Sequence, residues 1–103
     1  MKNRFDISDF VNTVTESSII DGLIERVKKR RKELKLSQKE LSNRSGVSYG
    51  SIRRFESEGE ISLSSLIKIA HILESLEDFN YLFKNPIFTN LKDYKWYKNL
   101  KNY

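Results

Sequence analysis

SQKELSNRSGVSYGSIRRFE, residues 37–56, is the stretch that decides the fold. Ser37 is a good N-cap and Glu40 stands three places after it, so the pair forms a capping box: the hydroxyl accepts from a free backbone N–H while the carboxylate reaches back to the cap's own N–H. A helix should begin there and run to about Ser45. Gly46 falls where that helix must stop, at the position that commonly turns left-handed and that glycine fills without strain. Val47 can then drop into a core, and Ser48 caps a further helix reaching about Glu56.

Two short helices joined by a turn of this length make a helix-turn-helix. Leu41, Val47, Ile52 and Phe55 have the spacing that holds the two against each other, and Ser42 is small where they come closest. Tyr49, Gly50, Ser51, Arg53 and Arg54 are left for solvent or a partner. Gly50 costs roughly 1 kcal/mol against alanine inside a helix. Either a close approach of DNA or a close contact with another helix would offset that cost.

Working outward, Ile20, Leu23, Ile24, Val27 and Leu34 make one stripe, which predicts a long helix from Ile19 to Lys35 with Arg26, Lys28, Lys29, Arg30 and Lys32 on the wet side. Ahead of it, Ile7, Phe10, Val11 and Val14 recur at helical intervals, with Asp6 or Ser8 able to cap, so a short amphipathic helix is expected in an extension covering residues 1–18. On the other side Gly59 and Ile61 make a turn. Ser62 caps a fourth helix, whose buried stripe is expected to be Leu63, Leu66, Ile67, Ala70 and Leu73. Leu76, Phe79, Leu82 and Phe83 continue as a fifth, shorter helix before Pro86. The expected fold is all-α: a five-helix domain over residues 19–83, preceded by the short helix and followed by a tail, residues 84–103.

Composition sets the bounds on function. A chain of 103 residues is normally one domain, and with no cysteine it can have neither disulfides nor thiolate metal sites. No apolar run is long enough to span a bilayer, and the first residues lack a signal peptide's apolar stretch, so a soluble cytoplasmic protein without membrane partners is expected. The net charge of +5 is unevenly spread: −3 over residues 1–25, +9 over 26–54, −5 over 55–83 and +4 over 84–103. A block of +9 suits a polyanion binder, although a solvated helix face would read the same way. The acidic side around Glu74, Glu77 and Asp78 should face away from any duplex. His71 is the single histidine and sits among apolar neighbours, which suits a structural or surface residue. Nor is there a glycine loop for phosphate. No enzyme activity, cofactor or metal is expected.

With these residues in view, the chain resembles the Xre, or phage-repressor-like, regulators over Val27–Phe83, through LKLSQKELSNRSGVS and SIRRFESEGEISLSSLIKIAHIL. The pattern departs where Ser42 and Ser45 replace the family's usual alanine, which bears on how tightly the helices pack. The resemblance implies base readout in the major groove by Tyr49, Gly50, Arg53 and Arg54. An arginine there can offer two parallel donors to guanine. It further implies backbone contacts by Lys28, Ser37, Gln38, Lys39, Ser48 and Ser51, and a structural ion pair between Arg31 and Glu56. Adjacent arginines lie about 100° apart on a helix, so one of the two can touch phosphate or pair with Glu58 or Glu60.

The resemblance also implies double-stranded DNA as a partner; exposed apolar residues around the fifth helix could make a symmetric homodimer contact that suits a palindromic operator, or could equally complete the core. The layout is similar to antitoxins encoded beside HipA-like kinases, which implies a protein toxin as a further partner. The tail interleaves lysines with Phe88, Tyr94, Trp96 and Tyr97, a mixture that can bind nucleic acid, dock in a protein groove or fold back on the domain. A protein-interaction module without specific DNA binding is the alternative reading.

Overall fold

The computed structural model describes residues 14–87, and these form four α-helices and a closing 3₁₀ turn, with no strand among the described residues. The helices are α1 (Glu16–Glu33), α2 (Gln38–Ser45), α3 (Tyr49–Glu58) and α4 (Leu63–Ile72), and the 3₁₀ turn covers Leu76–Tyr81. The short helix expected around Ile7–Val11 lies outside the described residues, as do the tail aromatics Phe88, Tyr94, Trp96 and Tyr97.

α1 starts one turn earlier than its apolar stripe suggests. Thr15 is the N-cap: its hydroxyl accepts from the Ser18 N–H at 3.0 Å, and the Ser18 hydroxyl oxygen accepts from the Thr15 N–H at 2.9 Å. This is a capping box with serine in the place usually held by Glu or Gln, so the usual signature misses it. The helix also ends earlier than Lys35. Lys35 turns left-handed (φ 58°), and the Leu36 N–H reaches back to the Arg31 carbonyl at 3.0 Å, closing a Schellman turn without glycine. α4 ends the same way, with Glu74 left-handed (φ 56°) and the Ser75 N–H on the Ala70 carbonyl at 2.8 Å. The expected fifth helix covers only the six residues Leu76–Tyr81, and they close in the tighter 3₁₀ form.

α2 packs on both α3 and α4, and α1 lies against α3. The core gathers Leu36, Leu41, Val47, Ile52, Ile69 and Leu73, with Val27, Leu34, Ile61 and Ile72 packed around it. Phe55, Ile24 and Ala70 are buried as well. On α4 the buried stripe is rotated from the expected one: Ile69 is buried and Leu63 is exposed, because the helix turns its Ile69–Leu73 side toward α2. Ile20 on α1, expected inside, is also exposed. Leu76, Leu82 and Phe83 lie on the surface, and of the expected fifth-helix stripe Phe79 alone is half-buried.

Gly46 (φ 78°) and Gly59 (φ 78°) end α2 and α3 in the left-handed conformation. Gly59 has a second constraint, since a Cβ there would run into the Ile20 side chain. Around the turn between α2 and α3, the two serines that replace alanine both bind Val47. The Ser42 hydroxyl donates to the Val47 carbonyl at 2.6 Å, and the Ser45 hydroxyl oxygen accepts from the Val47 N–H at 3.1 Å. They satisfy both backbone groups of the residue that enters the core, so the departure from alanine pins the turn.

Candidate nucleic-acid interface

The outer face of α3 is set by what its inner face buries. Ile52 and Phe55 enter the core and Glu56 is buried beside them, so the 3.6-residue period leaves Tyr49, Gly50, Arg53 and Arg54 outside. The rotation of the helix is fixed by Glu56. One of its oxygens accepts from Arg31 Nε at 2.8 Å, and the other accepts from Arg31 Nη2 at 3.0 Å and from Gln38 Nε2 at 2.9 Å. Arg31 Nη1 donates to the Leu36 carbonyl at 2.8 Å. A two-pronged arginine–carboxylate pair that also satisfies its remaining donors is the geometry in which a buried charge can be tolerated. No buried side-chain nitrogen or oxygen is left without a partner among the described residues. Gln38, at the start of α2, therefore ties the first helix of the motif to the second through its amide nitrogen.

Tyr49 opens α3 next to its Ser48 cap, and its ring sits between two cations: Lys39 Nζ and the Arg53 guanidinium carbon, each 5.5 Å from the ring centre. Both contacts favour a fixed ring on an exposed surface. Arg53 belongs to the same helix one turn on, whereas Lys39 reaches across from α2. That cross-helix contact was not legible from spacing. Arg54 extends the other way and pairs with Glu58, Nε to Oε2, at 3.0 Å on the open surface.

Gly50 has nothing within 4 Å of where a Cβ would be, so no helix of the described domain presses on it. The packing explanation for this glycine is thereby removed, and the bare backbone faces outward. With Lys28, Gln38, Arg53 and Arg54 it lines a shallow groove between α1 and α3.

The remaining candidates are cap residues. The Ser37 hydroxyl accepts from the Glu40 N–H at 3.0 Å, and Glu40 accepts from the Ser37 N–H at 2.9 Å. Hydrogen bonds from the Ser37 backbone and then from its side chain hold the Glu40 carboxyl below the usual glutamate range. The Ser48 hydroxyl oxygen accepts from the Ser51 N–H at 3.1 Å and its proton goes to the Ser51 hydroxyl at 2.7 Å. His71 lies exposed in the last turn of α4, away from this face.

Residues 27–79, just over half of the chain, match the helix-turn-helix family model. The chain belongs to the Xre-like helix-turn-helix family. It is a DNA-binding helix-turn-helix regulator by that membership, and α2 and α3 are the two helices of the motif. No curated protein and no solved structure matches the chain. Among the described residues no helix is long and apolar enough to cross a membrane.

One structural residue of this family member escaped the sequence reading. Arg30, placed on the wet side by periodicity, donates through Nη1 to the Leu73 carbonyl at 3.2 Å and to the Ser75 hydroxyl at 2.8 Å, which fastens α1 to the end of α4. Its cation sits where the helix's exposed carbonyls concentrate negative charge. Of the two glutamates open to the adjacent arginines, Glu58 is the one that pairs, and it holds Arg54 at i,i+4 spacing.

Proposed function

We propose that the protein is a sequence-specific repressor of its own operator, reading bases in the major groove with Tyr49, Gly50, Arg53 and Arg54. Lys28, Ser37, Gln38, Lys39, Ser48 and Ser51 contact the sugar–phosphate backbone and position the domain without reading sequence. The observation that carries this reading is the outer face of α3, where two arginines, a clamped tyrosine and a bare glycine backbone stand together on a helix whose rotation is locked by Glu56. Arg53 and Arg54 supply the paired donors that guanine accepts, and Gly50 admits a base edge or a phosphate close to the helix axis.

In this reading two copies bind a palindromic site as a homodimer, with recognition helices about one DNA turn apart (~34 Å). The chain is further proposed to be the antitoxin of a toxin–antitoxin pair, neutralising a HipA-like kinase through a surface distinct from α3. The sequence layout supports that proposal, and a kinase-like reading frame next to the gene is its simplest test.

Fluorescence anisotropy with duplex DNA from upstream of the gene and with a scrambled duplex, each at low and near-physiological salt, tests the DNA reading. Tight, salt-dependent binding that prefers the upstream duplex is expected. Equal, weak binding to both duplexes would turn attention to a protein partner instead.

A further inference from the structure

On the side of α1 away from the recognition surface, an open groove of about 340 Å³ runs between α1, α4 and the 3₁₀ turn. Its floor is apolar, built from Leu23, Val27, Leu66, Ala70 and Phe79. It extends along α1 from Ile19 at one end to Arg30 at the other, and its rim carries two cations, Arg26 and Arg30, against a single carboxylate, Asp78. None of the base-reading candidates of α3 touches it. The domain core is already closed beneath the groove by Ile69 and Leu73, so its apolar floor is surface left for something else to cover.

We propose that this groove is covered by the chain's own residues 5–13, docked as a short helix running back along α1. The first argument is chemical. This stretch, FDISDFVNT, offers Ile7, Phe10 and Val11 on one helical face, and its charged residues are Asp6 and Asp9, opposite in sign to the two arginines on the rim. The tail beyond Ile87 has four lysines and one aspartate, and would bring like charge to those arginines.

The second argument is length and attachment. Nine residues make a helix of about 14 Å, and the part of α1 that walls the groove, Ile19 to Arg30, spans about 16 Å. The segment joins the domain at Thr15, whose extended cap backbone (φ −128°, ψ 163°) stands one turn before Ile19. Reversal there needs only the short connection common to antiparallel helix pairs. A tethered segment docks at high effective concentration, so even a weak contact is populated.

The absence of cysteine allows a clean test. A nitroxide is attached to Asn3→Cys in the full chain, far along the sequence from the attachment point, and relaxation of the Val27, Leu66 and Leu73 methyl signals is measured. Strong intramolecular broadening of these signals is expected, reduced several-fold by adding Phe10→Asp and weakened by adding Arg26→Glu. The amide spectrum of α2 and α3 should stay unchanged in both variants, as should DNA binding. Groove methyls that are no more affected than in the Phe10→Asp variant would overturn the proposal. Broadening seen only when spin-labelled chain is mixed with unlabelled chain would give the groove to a second copy. Broadening from a label on Asn99→Cys in place of Asn3→Cys would give it to the tail.

Discussion

Two arginine–glutamate pairs meet on α3 and differ in almost everything except chemistry. Arg31 and Glu56 are buried, two-pronged and completed by Gln38 and the Leu36 carbonyl, whereas Arg54 and Glu58 share one bond on the open surface, with side chains 65% and 60% exposed. Water competes for the outer pair and screens it. The inner pair has little such alternative, because removing one partner strands the other in a site that is only 8% exposed. The inner pair therefore acts on the orientation of the helix, while the outer pair leaves Arg54 available for exchange with another partner. An architectural role for the buried pair, and the exposure that the proposed recognition role of Arg54 requires, both follow from burial.

The largest expected effect breaks the inner pair. Glu56→Ala strands Arg31 and the Gln38 amide, and a loss of about 3–5 kcal/mol is expected in urea denaturation. For a domain of this size that approaches the whole stability. A loss under about 1 kcal/mol would mean that water reaches Arg31 and that the two pairs are not different in kind.

Arg54→Ala is the matching change on the outside. Folding should be unaffected, and discrimination between operator and scrambled DNA should fall by about 1–3 kcal/mol. A variant that separates the two duplexes as well as wild type would take Arg54 out of base readout.

Glu40 sharpens the comparison as a third case, a fully exposed carboxylate held by hydrogen bonds instead of an arginine pair. Ser37→Ala should cost about 1 kcal/mol through the lost cap. Because the folded Glu40 carboxyl titrates below its unfolded value, its contribution is present above the ordinary glutamate range and is lost as pH falls through the lower, folded value. The urea midpoint of Glu40→Gln should accordingly change less than that of wild type as the solution is acidified. Parallel acid limbs would show that the hydrogen bonds to Glu40 contribute nothing.

The smallest effect on stability belongs to Glu58→Gln, a few tenths of a kcal/mol at most. Its effect on DNA affinity should be the opposite of that of Arg54→Ala, because it removes a negative charge from the proposed DNA-facing surface and releases Arg54. Tighter binding at low salt, measured by anisotropy, is the expected result. Weaker binding would mean that Glu58 orients Arg54 for recognition.

Much of this arrangement was legible in residues 37–56. Ser37 with Glu40, Gly46 and Ser48 are local signals, acting through backbone groups within four residues, and each places a helix end where the structure has it. The start of α1 was misplaced because a serine at the third position of its capping box lies outside the usual pattern, and its end because Lys35 takes a conformation expected of glycine. In the site, the sequence picked out the α3 residues that the structure leaves exposed, since a helix's outer positions follow from its apolar ones. It said nothing of Lys39 against Tyr49, of Ser42 and Ser45 on Val47, or of Arg30 on the end of α4.

What the chain's sequence determined by itself is the all-α architecture, the helix-turn-helix and the outward residues of its second helix, because caps, turns and periodicity are short-range and strongly biased by residue type. What only the tertiary structure decided is which of its charges are inside and which are free. Arg30, Arg31, Arg53 and Arg54 are one residue type on two helices, and they differ only in what the fold brings alongside: the end of α4, a buried glutamate, a tyrosine ring and an exposed glutamate. The partners of Arg30 and Arg31 lie up to 45 residues away along the chain, whereas those of Arg53 and Arg54 are four residues off in the same helix. No local rule connects the longer distances; the packing of α1 against α3 and its bonds to the end of α4 do.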